Sequence, residues 1–496
     1  MRNPLHARAW LLAAPLALGC YSAAPYREPS VTVAPVYAAA VRNDAQRSVA
    51  TGTPVRMADA APAASSVRFN TAGQAAPFWR ALGDSTLSEL VGEALRASPS
   101  VQSAEARLST ARASRRLAAF DLVPTVTATG SMSRAQQSIA AVPGLNNRLP
   151  TQDLYDVGFD ATWELDIFGR TQRTIGAQQA FVSSSEHSLD DVQVSLAAEV
   201  ARTYFELRGA ERQLAVARHN GENQQHTVAL TQQRLGAGRG TAFDTERANS
   251  VLQLTLAGIP LLETQIVANR HRLATLLGRA ENELPAGVFA PAGLPVLPDT
   301  VDVGSPQQLV RRRPDVLAAE RRLAGSALLV GAAQADYLPR LTLGASTGYT
   351  STQFRTLTTA GTSRLVVGPV LSFPLLDIGR VHQRVDIAAA RQDDARAQYT
   401  AAVLLAVEEA ETALVAYDRA HARVAILTEA VRSSTRAAEL AEQRFTAGLT
   451  DFFQVLDAQR TQLDAENQLA QAHTFAVTAL VAVYKSVGGG GALPIR

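Results

Sequence analysis

Cysteine is nearly absent from this chain. Cys20 is the only one, so no internal disulfide can form, and it stands alone near the amino end rather than among other candidate ligands. Surplus charge is missing too: 47 Lys and Arg face 45 Asp and Glu, which leaves no net field to attract nucleic acid. The densest basic run, Arg311-Arg312-Arg313, directly precedes Pro314-Asp315 and reads as a solvated helix start. Catalytic signatures are lacking: the eight histidines are scattered, no His-Glu-x-x-His element occurs, and no glycine-rich loop ends in Gly-Lys-Ser/Thr. No catalysis, cofactor or metal site is therefore expected. The amino-terminal apolar run, Ala9 to Leu18, is too short for a spanning helix, which takes about 20 residues.

That run does have a role to play. It follows Arg2, His6 and Arg8 and leads into Gly19-Cys20, the pattern of an export signal over residues 1–19. A small residue before the cysteine resembles a bacterial lipoprotein processing site, which would make Cys20 the lipidated first residue of the mature chain. Ala17 stands where leucine is usual, and a free or buried thiol is the alternative. Each buried CH₂ of an acyl chain contributes about 0.8 kcal/mol, so several chains hold an amino end firmly at a membrane. Residues 20–77, rich in Ala, Pro, Ser and Val, read as a lipidated arm and linker without sustained periodicity.

The organising stretch begins at Tyr155. Tyr155, Val157, Phe159, Ala161 and Trp163 alternate with Asp156, Gly158, Asp160, Thr162 and Glu164, as a strand with one apolar and one polar face requires. Past Gly169-Arg170 the period becomes helical, through Leu189, Val192, Leu196, Val200, Tyr204 and Leu207. The run to about residue 235 contains no proline and predicts a rod of roughly 100 Å at ~1.5 Å per residue.

The chain also matches itself. Pro99, Val101, Ala104-Glu105 and Pro124 fall on Pro314, Val316, Ala319-Glu320 and Pro339, and further on Gly169-Arg170, Gly238 and Gly278 fall on Gly379-Arg380, Gly448 and Gly488. Two repeats are thus expected, residues 78–298 and 299–490, followed by a short tail at 491–496. Each reads helix, strand, loop, strand, long helix, tight turn, helix. Strands are expected at about 125–133, 155–164, 340–350 and 365–373, and long helices at about 170–235 and 380–445.

Four alternating segments of about ten residues suit a transmembrane β-barrel, apolar to lipid and polar to the lumen. Four strands cannot close one, since the smallest single-chain barrels use about eight, and an open edge in lipid leaves backbone groups unsatisfied. The chain is therefore expected to oligomerise and pool its strands. Val403, Val407, Ala410, Leu414, Tyr417, Val424 and Val431 follow steps of three and four, a coiled-coil seam for helices packed side by side, with an ordinary buried stripe as the alternative. Pro260 is expected to kink the helix returning from Asp244.

Several stretches resemble the outer-membrane factors of tripartite efflux pumps, TolC-like and more closely OprM-like or NodT-type lipoproteins. They are Trp163-Glu-Leu-Asp-Ile-Phe-Gly-Arg170, Arg313-Pro-Asp-Val316 with Ala319-Glu-Arg321, Gly368-Pro369 with Phe373-Pro374, Val455-Leu-Asp-Ala-Gln-Arg460, and Tyr484-Lys485 before Gly488-Gly489-Gly490. The resemblance covers roughly residues 78–490. It implies a mainly α homotrimer with a 12-stranded membrane β-barrel, four strands from each tandem-repeat protomer, and long helices forming a periplasmic α-barrel. It also implies a periplasmic adaptor and an inner-membrane pump of the RND class as partners, and a passive outer-membrane conduit as function.

The resemblance further assigns residues. The equivalent turns Arg234 to Thr241 and Arg444 to Thr450, with Gly238 and Gly448 in them, become the periplasmic tip where the adaptor docks. Phe453, Asp457 and Arg460, spaced i, i+4, i+7, match positions that point into the narrowed tunnel and form its gate. A solvated charge pair on an outer face is the alternative. Two other functions stay open at this point: a non-conducting trimeric stalk, and the outer channel of an ATP-driven type I secretion system. Only the conduits need a lipid-facing band.

Overall fold

The computed structural model describes residues 33–38, 67–70, 79, 82–136, 150–284 and 293–489. Cys20 and the expected signal segment lie outside the described residues. In chain order the elements are β1 (Arg68–Asn70), α1 (Ser85–Ala97), α2 (Pro99–Phe120), β2 (Thr125–Ala135), β3 (Gln152–Leu165), α3 (Arg170–Gly236), α4 (Ala242–Leu276), β4 (Thr300–Asp302), α5 (Pro306–Arg312), α6 (Pro314–Ala335), β5 (Arg340–Ser351), β6 (Ser363–Ser372), α7 (Ile378–Thr446) and α8 (Phe452–Ser486). The repeat is visible in the elements, since α1, α2, β2, β3, α3 and α4 recur as α5, α6, β5, β6, α7 and α8.

Two compact units cut across that repeat. The first is built from Arg107–Ser185 and Ala319–Tyr399, and so takes its strands from both repeats. Its sheet has the order β2-β3-β5-β6 and is antiparallel throughout, two hairpins joined by the β3–β5 pairing. Register is exact across all four strands, with Val126 opposite Ala161, Ala161 opposite Ala345, and Ala345 opposite Val367. Because side chains alternate with period two, this register fixes which residues share a face. β2 and β6 are the two edges, and each leaves one side of its backbone unpaired within the sheet.

The second unit comprises the described parts of Val31–Ala106, Glu186–Ala318 and Thr400–Arg496. Its core gathers Leu87, Leu90, Val91 and Ala94 of α1, spaced for one helical face, against Val200, Tyr204 and Phe205 of α3, Leu273 and Leu277 at the end of α4, and Val477 and Val481 of α8. Asp84 sets α1 in place: one carboxylate oxygen accepts from the Leu87 amide at 2.9 Å as an N-cap, and the other accepts from the Tyr204 hydroxyl at 2.8 Å.

Two sequence expectations are corrected here. The arm is not featureless, because Arg68–Asn70 pairs in parallel with Thr300–Asp302, and Tyr37 is fully buried. Segments of three residues are too short to show a period. Arg313 is no solvated helix start. It is buried, donates to Asp315 at 3.0 and 2.7 Å and to the Ser486 carbonyl at 3.2 Å, and pairs with Glu409 at 2.7 Å. Arg311 and Arg312 remain exposed in the last turn of α5. The helix expected around Pro260 is α4, which holds that proline in its interior.

Candidate functional site: a strand sheet and a helix tip

In the first unit the two faces of the sheet differ sharply in chemistry. One carries Val126, Ala128, Met132, Phe159, Ala161, Leu343, Leu365, Val367 and Leu371. Of these Val126, Met132, Phe159, Leu365, Val367 and Leu371 are more than half exposed in the protomer, an apolar band left open among the described residues. Aromatic groups bound the band at its ends. Trp163 donates its indole N–H to the Leu122 carbonyl at 3.0 Å, and Tyr155 meets Phe354 edge-on at 5.8 Å. An outward apolar face between aromatic ends is what a lipid-facing strand requires.

The opposite face is polar and ordered by hydrogen bonds. Thr129 donates to Asp160 at 2.9 Å, Ser346 donates to the other Asp160 oxygen at 2.7 Å, and Thr350 donates to Asp156 at 2.6 Å. Arg364 of β6 reaches across β5 to bind Asp156 of β3 in fork geometry, at 2.8 and 2.7 Å, and also donates to Ser346. Its path is cleared by glycine: Gly158 lies opposite Gly348, and a Cβ on Gly158 would sit 3.2 Å from the Arg364 guanidinium. β6 breaks the alternation, since Val366 and Val370 share this polar face.

In the second unit, α3 and α7 end in the same way. Gly238 and Gly448 have φ of +67° and +73°, which costs glycine nothing and permits the closing bonds. The Arg239 amide donates to the Arg234 carbonyl and the Gly238 amide to Leu235, and likewise Leu449 to Arg444 and Gly448 to Phe445. Both are Schellman caps. The chain then re-enters helix at once, with Thr241 capping α4 in a reciprocal pair with Asp244, and Asp451 capping α8 through the Gln454 amide at 3.2 Å.

The expected docking residues do not all face outward. Gly238, Thr241, Arg444 and Gly448 are exposed, whereas Arg234 is half-buried: it donates to the Phe445 carbonyl at 3.1 Å and its guanidinium stacks on the Phe445 ring at 4.0 Å. Arg234 thus ties the two turns together. The Thr450 hydroxyl is buried and has no hydrogen-bond partner. Beneath the turns Phe445, Phe452, Val455, Leu456 and Ala248 form a small apolar core, with the two rings 5.4 Å apart.

Phe453, Asp457 and Arg460 share one exposed face of α8, while Phe452, Val455 and Leu456 occupy the buried one. Within the protomer no ion pair engages Asp457 or Arg460 among the described residues. Sequence reasoning missed Arg247 of α4, whose guanidinium lies 4.6 Å from the centre of the Phe453 ring. The repeat held the signal, because the spacing that carries Gly238 to Gly448 carries Arg247 to Asp457 and Phe243 to Phe453.

A two-faced antiparallel sheet bearing helices of 67 and 69 residues defines an outer-membrane channel protein with a helical tunnel. The sequence profile of the outer membrane efflux protein family matches residues 90–279 and 305–489, and the chain belongs to that family. Outer membrane protein OprJ of Pseudomonas aeruginosa is 31% identical over 493 residues, spanning 99% of this chain and 97% of OprJ. The pyoverdine export outer membrane protein OpmQ of Pseudomonas putida is 30% identical over 449 residues, spanning 89% and 94%. Among solved structures, the outer-membrane channel OprN matches with a TM-score of 0.84 at 35% identity, covering 95% of this chain and 99% of that one.

Proposed function

We propose that three copies of this chain pool their sheets by pairing β2 of one protomer with β6 of the next, and that the closed barrel is a passive outer-membrane conduit with no catalytic step. The open-edged sheet with an uncovered apolar face carries this reading. Both edges demand a partner in lipid, and a second copy supplies one at each. A non-conducting stalk has no use for the apolar band. An inner-membrane pump of the RND class and a periplasmic adaptor complete the system, in keeping with family membership. Cys20 carries the lipid anchor.

The tip is the regulated end. The adaptor docks on the exposed parts of the twin turns, Gly238 and Thr241 with Arg444 and Gly448, while Arg234 holds those turns from within and Thr450 lies beside them. Phe453, Asp457 and Arg460 form the gate: their exposed face meets the corresponding face of the next protomer, and the acidic and basic side chains find intersubunit partners there. Opening is a shift of the helix ends at that interface, biased by adaptor binding. Replacing both charges, Asp457→Ala with Arg460→Ala, should raise single-channel conductance in a planar bilayer. Unchanged conductance would remove the gate assignment and leave a solvated outer face.

A further inference from the structure

The polar face of the sheet carries an unbalanced charge at one level only. Among the described residues of this sheet, charged groups are otherwise matched. On the polar face Glu164 pairs with Arg170 at 2.9 Å and Arg340 with Asp336 at 2.6 Å, while Arg134 and Asp153, opposite each other on the other face, pair at 3.2 Å. Asp156 is matched by the fork of Arg364 at 2.7 Å. Asp160 is different. Its two oxygens accept from the neutral hydroxyls of Thr129 and Ser346, so its negative charge is oriented and hydrogen-bonded but forms no ion pair among the described residues. Arg364 donates to the same Ser346 hydroxyl that donates to Asp160, which places the guanidinium one hydroxyl away from that carboxylate.

We propose that Asp160 is the cation-selecting residue of the barrel, contributing one carboxylate per protomer to a ring in the lumen, and that Arg364 is the positioning residue that limits the charge there to that ring. The inference rests on the trimeric barrel proposed above, in which this polar face lines the lumen. Rings of aspartate raise cation occupancy in a pore and repel anions. Two features fix the carboxylate. Hydroxyls on β2 and β5 hold it from both sides, and the Gly158–Gly348 pair lets the Arg364 arm lie flat across the sheet instead of projecting into the lumen. Asp156 is consumed by that arm, so it adds nothing to the ring.

The test is the reversal potential of the full-length trimer in a planar bilayer under a KCl gradient. It is run both in the native chain and in the Asp457→Ala/Arg460→Ala background, so that the tip does not mask the barrel. The parent should favour potassium over chloride. Asp160→Asn should lower the permeability ratio several-fold, Asp160→Glu should keep it, and Arg364→Gln should raise it, because Asp156 then joins the ring. A merely structural role for Arg364 gives no such rise. An unchanged ratio in Asp160→Asn overturns the proposal, and so does a fall in Arg364→Gln that forms normal trimers. The barrel reading itself is checked separately with a charged, membrane-impermeant thiol reagent, against the parent with its same Cys20. Current steps in Asp160→Cys but not in Phe159→Cys support a lumenal Asp160. Reaction at Phe159→Cys alone overturns the barrel face assignment, and the selectivity proposal with it.

Discussion

Individual side chains in this protein do work that their types conceal. Arg313 looks like one member of a solvated basic run, yet it is the residue on which α6, α7 and α8 converge, through Asp315, Glu409 and the Ser486 carbonyl. Burial alone would pull its pKa down. The hydrogen bonds and charges of Asp315 and Glu409 outweigh burial and raise it, so the guanidinium stays charged. Arg313→Ala strands two carboxylates and a carbonyl, and should cost about 3 kcal/mol or more, read as a lower melting temperature. Arg234→Ala should behave differently. It loses one carbonyl bond and one ring contact, together about 1–2 kcal/mol of local order. Amide exchange should quicken over Phe445 to Leu449 while global melting barely moves, and a global loss would mean that the tip is part of the main folding unit. None of this could be read from composition. A triple arginine before Pro-Asp is usually solvated, and only the fold reveals which of the three turns inward.

Among the elements, the strands and long helices were legible because their periods are long-lived. Alternation over Tyr155 to Glu164 and the recurrence of Gly238 at Gly448 placed β3, α3 and α7 to within a few residues at each end. β1 and β4 were not legible, since a parallel pair of three-residue strands joins segments far apart in sequence. The role of Arg247 was hidden for a related reason, as a ring contact between α4 and α8 leaves no mark within either helix. One contact among α3, α7 and α8 has a pH consequence. Burial, then Arg212 and then His421, push the His473 imidazole below its ordinary value of 6.5. His473 shares a cavity with Arg208, Glu211, His219 and Glu466, and His421 in turn meets Asp299 at 3.3 Å. Above pH 6.5 both folded and unfolded chains hold His473 neutral. As pH falls below that value the unfolded chain takes the proton first, so stability drops until the folded pKa is passed. The melting temperature should therefore fall as pH drops below 6.5, and His473→Asn should flatten that fall. Equal slopes in the two proteins would assign the acid sensitivity to other groups.

For the whole molecule, the decisive fact is that one protomer is chemically incomplete. Among the described residues the sheet has two unpaired edges, the apolar band has no cover, and Asp457 and Arg460 on the exposed face of α8 form no ion pair. The ring of copies proposed above would meet all three deficits. Family membership supplies the rest of the setting, an outer-membrane efflux system. The measurement that tests the conduit account most directly is photocrosslinking in living cells from a probe replacing Leu449, which is exposed beside Gly448 at the tip. Captured species are then identified by mass spectrometry. The account predicts recovery of a periplasmic adaptor, accompanied by its inner-membrane pump. Recovery of copies of this chain alone, or of cell-surface proteins, would contradict it and point to a stalk.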